Sequence, residues 1–336
     1  YKRDKFQKLM DDPGDGTRGT VGLPLALGMY ELGPLWYTFF KTLGYKVIFS
    51  GFSNRSVYTK GQYSIPSDTA CYPAKIMHGH IETLVDKNAD MIFYPCLTYN
   101  IDENISDNCY NCPVVAYYSE LLSGNMESLR STEFIYPYLN INNKKELAQE
   151  LYSVFKDRSG GFSKKEIRNA VDKAFDAYRE WMKDIRDEGV RAIKWAEENG
   201  KRVMILAGRP YHIDPEIGHG IDNLAVSLGF CVVSEDSISD LTSPPNVNVL
   251  NQWTYHARLY AAAKYATEHS NTELVQLVSF GCGIDAITTD EVRAILEGKN
   301  KLYTQIKIDE ITNLGAVRIR LRSLLGALDF ARYSDI

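Results

Sequence analysis

TVGLPLALGMYELGPLWYTFFKTLGYKVIFS, residues 20–50, decides the fold. Residues 20–27 are apolar and strand-like. Residues 34–44, PLWYTFFKTLG, space their aromatic side chains as a helix does and stop at Gly44, the usual residue just past a helix end. The run Trp36, Tyr37, Phe39 and Phe40 reads as core. Residues 45–50, YKVIFS, form a short buried strand. Strand, helix and strand in such close succession make one unit of a parallel sheet with helices on its faces.

The same alternation runs outward. PAKIMHGHIETLVDKN (73–88) opens a helix with Pro73, a residue with no N–H to lose at a helix start. ADMIFYP (89–95), VVAYYS (114–119) and EFIYPYL (133–139) read as strands. Residues 142–199 then change character. Ile167, Val171, Ala174, Phe175, Tyr178, Met182 and Ile185 recur at helical spacing, and Ser163 with Glu166 forms a capping box. The second half repeats the first. KRVMILAG (201–208), FCVVSE (230–235), ELVQLVSF (273–280) and KLYTQIKID (301–309) are strands. GIDNLAVSLG (220–229), WTYHARLYAAAKYATEH (253–269), DAITTDEVRAILEG (285–298) and AVRIRLRSLLGALDFA (316–331) are helices.

The expected fold class is therefore α/β: two doubly wound, Rossmann- or flavodoxin-like parallel-sheet lobes joined by a long helical segment. The expected organisation is a linker at 1–17, an N-terminal lobe at 18–141, a helical connector at 142–199 and a C-terminal lobe at 200–336.

Composition narrows the function classes. The 336 residues carry a net charge of −5, which argues against a nucleic-acid surface, because phosphate binding needs a basic excess. No apolar run approaches the about 20 residues that span a bilayer, so no membrane partner is expected. The first residues, YKRDKFQKLMDDPGDG, lack the apolar core of a signal peptide and read as a linker from a longer parent chain. Six cysteines in a chain that can build its own core point to a reducing cytoplasm, where thiols stay free for metal or redox chemistry.

In open parallel sheets, ligands collect beyond the carboxyl ends of the strands. Cys96 follows the strand MIFYP there, and Cys282 sits in the turn FGCG after LVQLVSF. Cys71 lies in a loop immediately before a helix, whose N-terminus favours a thiolate. Cys112 lies just before VVAYYS. Cys109 and Cys112 have the CxxC spacing of a dithiol pair, although a pair that precedes a strand lacks the stabilisation of a helix start. Cys231 lies inside a strand and reads as core. Spacing alone also allows idle loop thiols.

Other candidates surround these cysteines. LAGRPYHIDPEIGHGID (206–222) follows a strand and holds Arg209, His212, Asp214, His219 and Asp222. Arg209 and His212 are candidate catalytic residues. The alternative is a loop held by its own hydrogen bonds, with His219 and Asp222 capping the next helix. Lys75, one turn from Cys71, is a third catalytic candidate. His78 and His80, two residues apart, cannot line one site together; His78, about two turns beyond Cys71, could support the site from behind, and the alternative for both is helix packing and surface. Glu31 and Asp285 are acid–base or capping groups, with Asp285 best read as a cap. Arg318, Arg320 and Arg322 form no single stripe and read as solvated or intersubunit contacts.

Taken together, TVGLPLALGMYELGPLWYTFFKTLGYKVIFS, SIPSDTACYPAKIMHGHI, MIFYPC, NCPVV, LAGRPYHIDPEIGHGID, SFGCGIDAITTDEV and KIDEITNLGAVRIRLRSL resemble the 2-hydroxyacyl-CoA dehydratase activase-related family over residues 18–328. Its members often form a segment of large proteins that also carry ATPase activase domains. The resemblance implies kinship with dehydratase subunits and double-cubane cluster proteins, which bind iron–sulfur clusters through cysteines between α/β lobes. Carried onto this chain, the ligands of a [4Fe–4S] or related cluster are Cys71, Cys96 and Cys282, with Cys112 as fourth candidate. Cys109 stands where relatives are expected to carry another residue and is not assigned. Leu25 stands where an arginine is expected, which weakens anion binding at that position.

The resemblance implies an oxygen-sensitive electron-transfer module, one that aerobic purification can strip of its cluster. Its implied partners are activase ATPase domains, an acyl-CoA-type substrate and a second copy of the chain as a homodimer. No ATPase motif is visible. Two alternatives stand beside it: a cluster-free docking module that regulates the ATPase domains, and a thiol redox protein using Cys109 and Cys112.

Overall fold

A computed structural model describes residues 1–279 and 281–334 of the chain. Phe280, the last residue of the expected strand 273–280, lies outside the described residues. The chain divides into two compact units. The first comprises Tyr1–Asn104, Asn108–Lys183 and Gln252–Thr254; the second comprises Ile105–Asp107, Asp184–Asn251 and Tyr255–Ile336. Each unit is built on one four-stranded, all-parallel sheet flanked by helices, the α/β class with two lobes read from the sequence.

In chain order, the first unit contains helix α1 (Lys2–Met10), strand β1 (Thr20–Leu23), α2 (Met29–Thr42), β2 (Lys46–Phe49), α3 (Arg55–Gly61), α4 (Tyr72–Asp86), β3 (Met91–Phe93), α5 (Pro113–Asn125), β4 (Glu133–Ile135) and α6 (Lys144–Phe155). The strand order is β2-β1-β3-β4, and Val21 pairs with Val47 on one side and Met91 on the other. Helix α1 falls in the stretch expected as a linker. Its Phe6 is fully buried and meets Tyr30, Phe49 and Trp181 edge-on.

Three elements differ from their sequence reading. VVAYYS is helical, the first two turns of α5. Its β-branched and aromatic residues suggest a strand, but Val115, Ala116, Tyr118, Ser119 and Leu122 are buried at three-to-four spacing, and Pro113 opens the first turn. Strand β1 ends at Leu23 instead of running to residue 27, since Pro24 has no N–H for a central ladder. Helix α2 begins at Met29, earlier than expected, and contains Pro34.

Helix α7 (Lys164–Glu198) runs unbroken through most of the expected helical stretch. All seven residues of its predicted apolar stripe are buried, and Ser163 and Glu166 make the reciprocal bonds of a capping box.

The second unit continues with β5 (Val203–Ala207), α8 (Pro215–Gly218), α9 (Ile221–Ser227), β6 (Cys231–Val233), α10 (Thr254–Glu268), β7 (Thr272–Val278), α11 (Gly283–Glu297), β8 (Thr304–Lys307) and α12 (Leu314–Ser334). Its strand order is β6-β5-β7-β8. Ile205, Ala207, Leu259, Ala262, Ala263, Leu274 and Val292 form its core with no or almost no exposure. Cys231 is half-buried, and its thiol donates to the Ala192 carbonyl at 3.4 Å, consistent with a packing role.

In both sheets the chain leaves the first strand to one side and returns to the other. The switch points fall between β1 and β3 and between β5 and β7, the places where parallel sheets open a ligand crevice. No helix among the described residues is long and apolar enough to cross a membrane.

Candidate functional site

In the first unit, three expected cysteines, Cys71, Cys96 and Cys112, act electrostatically on one tyrosine. Cys71 is the N-cap of α4 and Cys112 is the N-cap of α5. Both have extended backbone followed by a helix whose first turn contains proline, an arrangement that leaves the thiols at positive helix ends. The Val115 N–H donates to the Cys112 sulfur at 3.4 Å. The CxxC cysteine therefore does open a helix, which corrects its placement before a strand. Cys96 follows β3; its backbone bridges to the strand-end segment after β4, with Cys96 N donating to Pro137 O at 2.9 Å. Its buried sulfur lies 3.0 Å from the Ser119 hydroxyl, and burial pushes its thiol up, with the Ser119 contact opposing.

Tyr94 joins the three. It is 3 % exposed, and its hydroxyl is buried without a hydrogen-bond partner among the described residues. Burial first, and then Cys112, Cys96, Tyr118 and Cys71, push its ionisation well above the ordinary range, so it remains a neutral O–H. Cys71 likewise acts on Tyr118, whose hydroxyl meets His78 Nε2 at 3.0 Å. Tyr94 and Tyr118 are the residues the sequence reading missed. Their signal was available, since Tyr94 directly precedes Pro95 and Cys96, and Tyr118 lies two turns into the helix that Cys112 opens.

Lys75 is buried one turn after Cys71, with its N–H on the Cys71 carbonyl at 3.1 Å. His78 and His80 are both fully buried, which corrects any surface role. His78 lies between Ser64 and Tyr118, and His80 between Ser50 and Ser53. Between them Gly79 lets α3 and α4 touch: a Cβ on Gly79 would lie 1.8 Å from the Val57 carbonyl oxygen. Glu31, also buried, accepts from Asn100 at 2.9 Å. Leu25 is fully buried in the core. Cys109 is buried and accepts from Asn142 at 3.4 Å.

Among the described residues, no three or more histidine, cysteine, aspartate or glutamate side chains are drawn together as around one metal ion. The ligand thiolates of an iron–sulfur cluster stand farther apart, because the inorganic core lies between them. Sulfur from Cys71, Cys96 and Cys112, with an O–H from Tyr94, would suit such a core in donor chemistry.

In the second unit, Cys282 is the N-cap of α11 and Arg209 follows β5. The buried Arg209 guanidinium donates to Cys282 Sγ at 3.3 Å, to Asp285 at 2.6 and 3.3 Å, and to His256 Nε2 at 3.2 Å. Burial opposes its charge most strongly, yet Tyr211, Asp285 and Cys282 together hold it protonated. Asp285 is no helix cap, contrary to expectation. It lies inside the first turn of α11, and it also accepts the Ser279 N–H at 2.9 Å. His212 stands beside Arg209, with burial and then Arg209 keeping it neutral. His219 adopts a left-handed backbone, φ 49°, and donates to the Asp309 carbonyl at 2.6 Å, while Gly220 takes the cap position of α9. Asp214 caps α8 through the N–H groups of Glu216 and Ile217. His256 is the residue here that no sequence motif announced.

A family profile described as the CoA enzyme activase uncharacterised domain matches residues 20–238. No protein of curated function matches the sequence. Solved structures similar to the chain include the C-terminal domain of glucosamine-fructose-6-phosphate aminotransferase from Francisella tularensis, at 10 % identity and a TM-score of 0.21, covering 96 % of this chain and 85 % of that one. Another is glucosamine-6-phosphate deaminase from Thermotoga maritima, at 11 % identity and a TM-score of 0.22, covering 98 % and 92 %. Likeness at this level carries no argument about fold or function.

Proposed function

We infer the function from one premise: this chain belongs to the CoA enzyme activase uncharacterised domain family. On that premise we propose that it is the redox component of an activation system for CoA-ester enzymes of the 2-hydroxyacyl-CoA dehydratase kind. It would take low-potential electrons from an ATP-hydrolysing activase domain and serve chemistry on an acyl-CoA-type substrate. The observation that supports this reading is that Cys112, Cys96 and Cys71 all act electrostatically on the buried Tyr94 hydroxyl, which has no hydrogen-bond partner among the described residues.

A [4Fe–4S] cluster, when bound, supplies electron transfer at low potential. The chain's own residues would do the rest. Cys71 and Cys112 offer sulfur at helix N-termini, where negative charge is favoured. Tyr94 offers a hydrogen-bond donor in a buried place, and hydrogen bonds to sulfur set the potential. Lys75, one turn from Cys71, supplies a nearby cation, and Ser119 orients Cys96.

The test is iron and acid-labile sulfide analysis of protein purified under nitrogen. A [4Fe–4S] core predicts about four of each per chain. Cys71→Ala, Cys96→Ala and Cys112→Ala should each lose most of the iron, whereas Cys231→Ala should keep it. Cys282→Ala belongs in the same series and decides whether Cys282 is a ligand. A folded, colourless, iron-free wild-type protein after anaerobic reconstitution would overturn the proposal in favour of a docking module for the ATPase domains.

A further inference from the structure

Arg209 fixes the tautomers of two imidazole rings at the carboxyl end of β5. Its backbone N–H donates to His212 Nδ1 at 3.2 Å, so that nitrogen is bare and the hydrogen sits on Nε2. Its guanidinium has donors only, so at 3.2 Å from His256 Nε2 it leaves the hydrogen on His256 Nδ1. The two nitrogens that carry hydrogen, His212 Nε2 and His256 Nδ1, are both buried and have no hydrogen-bond partner among the described residues. The residues are 8 % and 2 % exposed. Each unmade bond of this kind costs about 1–3 kcal/mol. Two such donors, set by one residue at the switch point of a parallel sheet, mark a place where an acceptor is missing.

We propose that this end of the second unit binds a small uncharged ligand through carbonyl oxygens that accept from His212 Nε2–H and His256 Nδ1–H. The charge already present selects the ligand class. Arg209 is held in two-point contact by Asp285, and the buried Glu235 carboxylate accepts the Gly208 N–H at 3.1 Å. A phosphate or carboxylate would add a further buried negative charge beside these two carboxylates. A carbonyl oxygen adds none and has two lone pairs to offer. Gly208 keeps the arrangement possible, since a Cβ there would lie 2.1 Å from His212 Nδ1 and push the ring out of place. This site shares no residue with the proposed thiol ligands of the first unit, although its Arg209 also donates to Cys282, the candidate ligand of the second unit.

The experiment follows the ring nitrogens of the chain, labelled with isotopic nitrogen in its six histidines, by magnetic resonance. His212→Phe and His256→Phe assign the two signals. The probes are N-methylacetamide, methyl acetate, sodium acetate and inorganic phosphate. The proposal expects the N–H signals of His212 and His256 to move saturably with N-methylacetamide or methyl acetate, the two probes distinguishing an amide from an ester source. Each Phe variant should weaken that binding about tenfold, the loss of one neutral hydrogen bond. Three results overturn it: signals that neither carbonyl probe moves, signals that move with phosphate or acetate instead, and N–H groups found donating to trapped water that the carbonyl probes do not displace. The wild-type titration stands alone if a variant fails to fold.

Discussion

Arg209 grips Asp285 through two hydrogen bonds, of 2.6 and 3.3 Å, with each side chain 4 % exposed. The carboxylate lies between that guanidinium and the Ser279 N–H at the end of β7, so it ties one strand end to the helix that follows the next turn. Removing one partner strands the other's charge in the interior. Asp285→Ala should therefore lower stability by about 3–5 kcal/mol. Arg209→Lys should also be costly, since a point charge cannot replace the two-pronged contact. Urea denaturation measures both, and a loss below about 1 kcal/mol in Asp285→Ala would mean that water reaches the pair.

Helices α3 and α4 meet where neither has a side chain. A Cβ on Gly79 would stand 1.8 Å from Val57 O, and one on Gly61 would stand 2.2 Å from Gly79 N. The obstacles are backbone atoms, which cannot rotate aside. Gly79→Ala must separate the helices, at a cost of about 1–3 kcal/mol or more. Gly124, in α5, has nothing within 4 Å of its would-be Cβ. Gly124→Ala should raise stability by about 0.5–1 kcal/mol, as expected for a helical glycine in open space. Equal effects at the two positions would rule out the close crossing.

The two tyrosines beside the thiols should respond in opposite directions. The Tyr94 hydroxyl is buried with no partner among the described residues, so metal-free Tyr94→Phe should be more stable than the wild type by about 1 kcal/mol. The Tyr118 hydroxyl has His78 at 3.0 Å, and Tyr118→Phe should lose about 1 kcal/mol or more by leaving a buried imidazole nitrogen unmatched. Thermal denaturation of metal-free protein compares them. Destabilisation by both would show that Tyr94 has a partner after all, such as a buried water.

The parallel sheets were legible because the central strands are short apolar runs, buried or nearly so at every position and followed closely by glycine or proline. Strand β7, buried at every position, is the clearest instance. VVAYYS was not legible as a helix by composition, since β-branched and aromatic residues favour strands locally. Its helical period emerges only with the downstream Leu122. At the sites, cysteines and Arg209 are visible because their chemistry is rare. Asp285 was misread because a carboxylate near a helix start is commonly a cap, and only the fold brings Arg209 to it from 76 residues away. His256 and Tyr94 were invisible for a related reason: a core position with a satisfied polar atom and one without look alike until the hydrogen bonds are counted.

His78 makes stability depend on pH in a direction that follows from its burial. It is fully buried between Ser64 and Tyr118, and desolvation lowers its pKa from 6.5 to about 4. Between those values the unfolded chain takes up a proton that the folded chain refuses, so acid favours unfolding. The His78 contribution is fully present above about pH 6.5 and is lost as pH falls to about 4. It amounts to about 3 kcal/mol in all and about 2 kcal/mol of that by pH 5. His212 and His256, both held neutral by burial and by Arg209, act in the same direction. The wild type should therefore lose stability steadily from pH 6.5 to 5 in urea titrations. His78→Gln, which has no proton to gain, should start lower and show a slope smaller by the His78 share. Identical slopes in the two proteins would mean that His78 titrates normally and is not sealed from water.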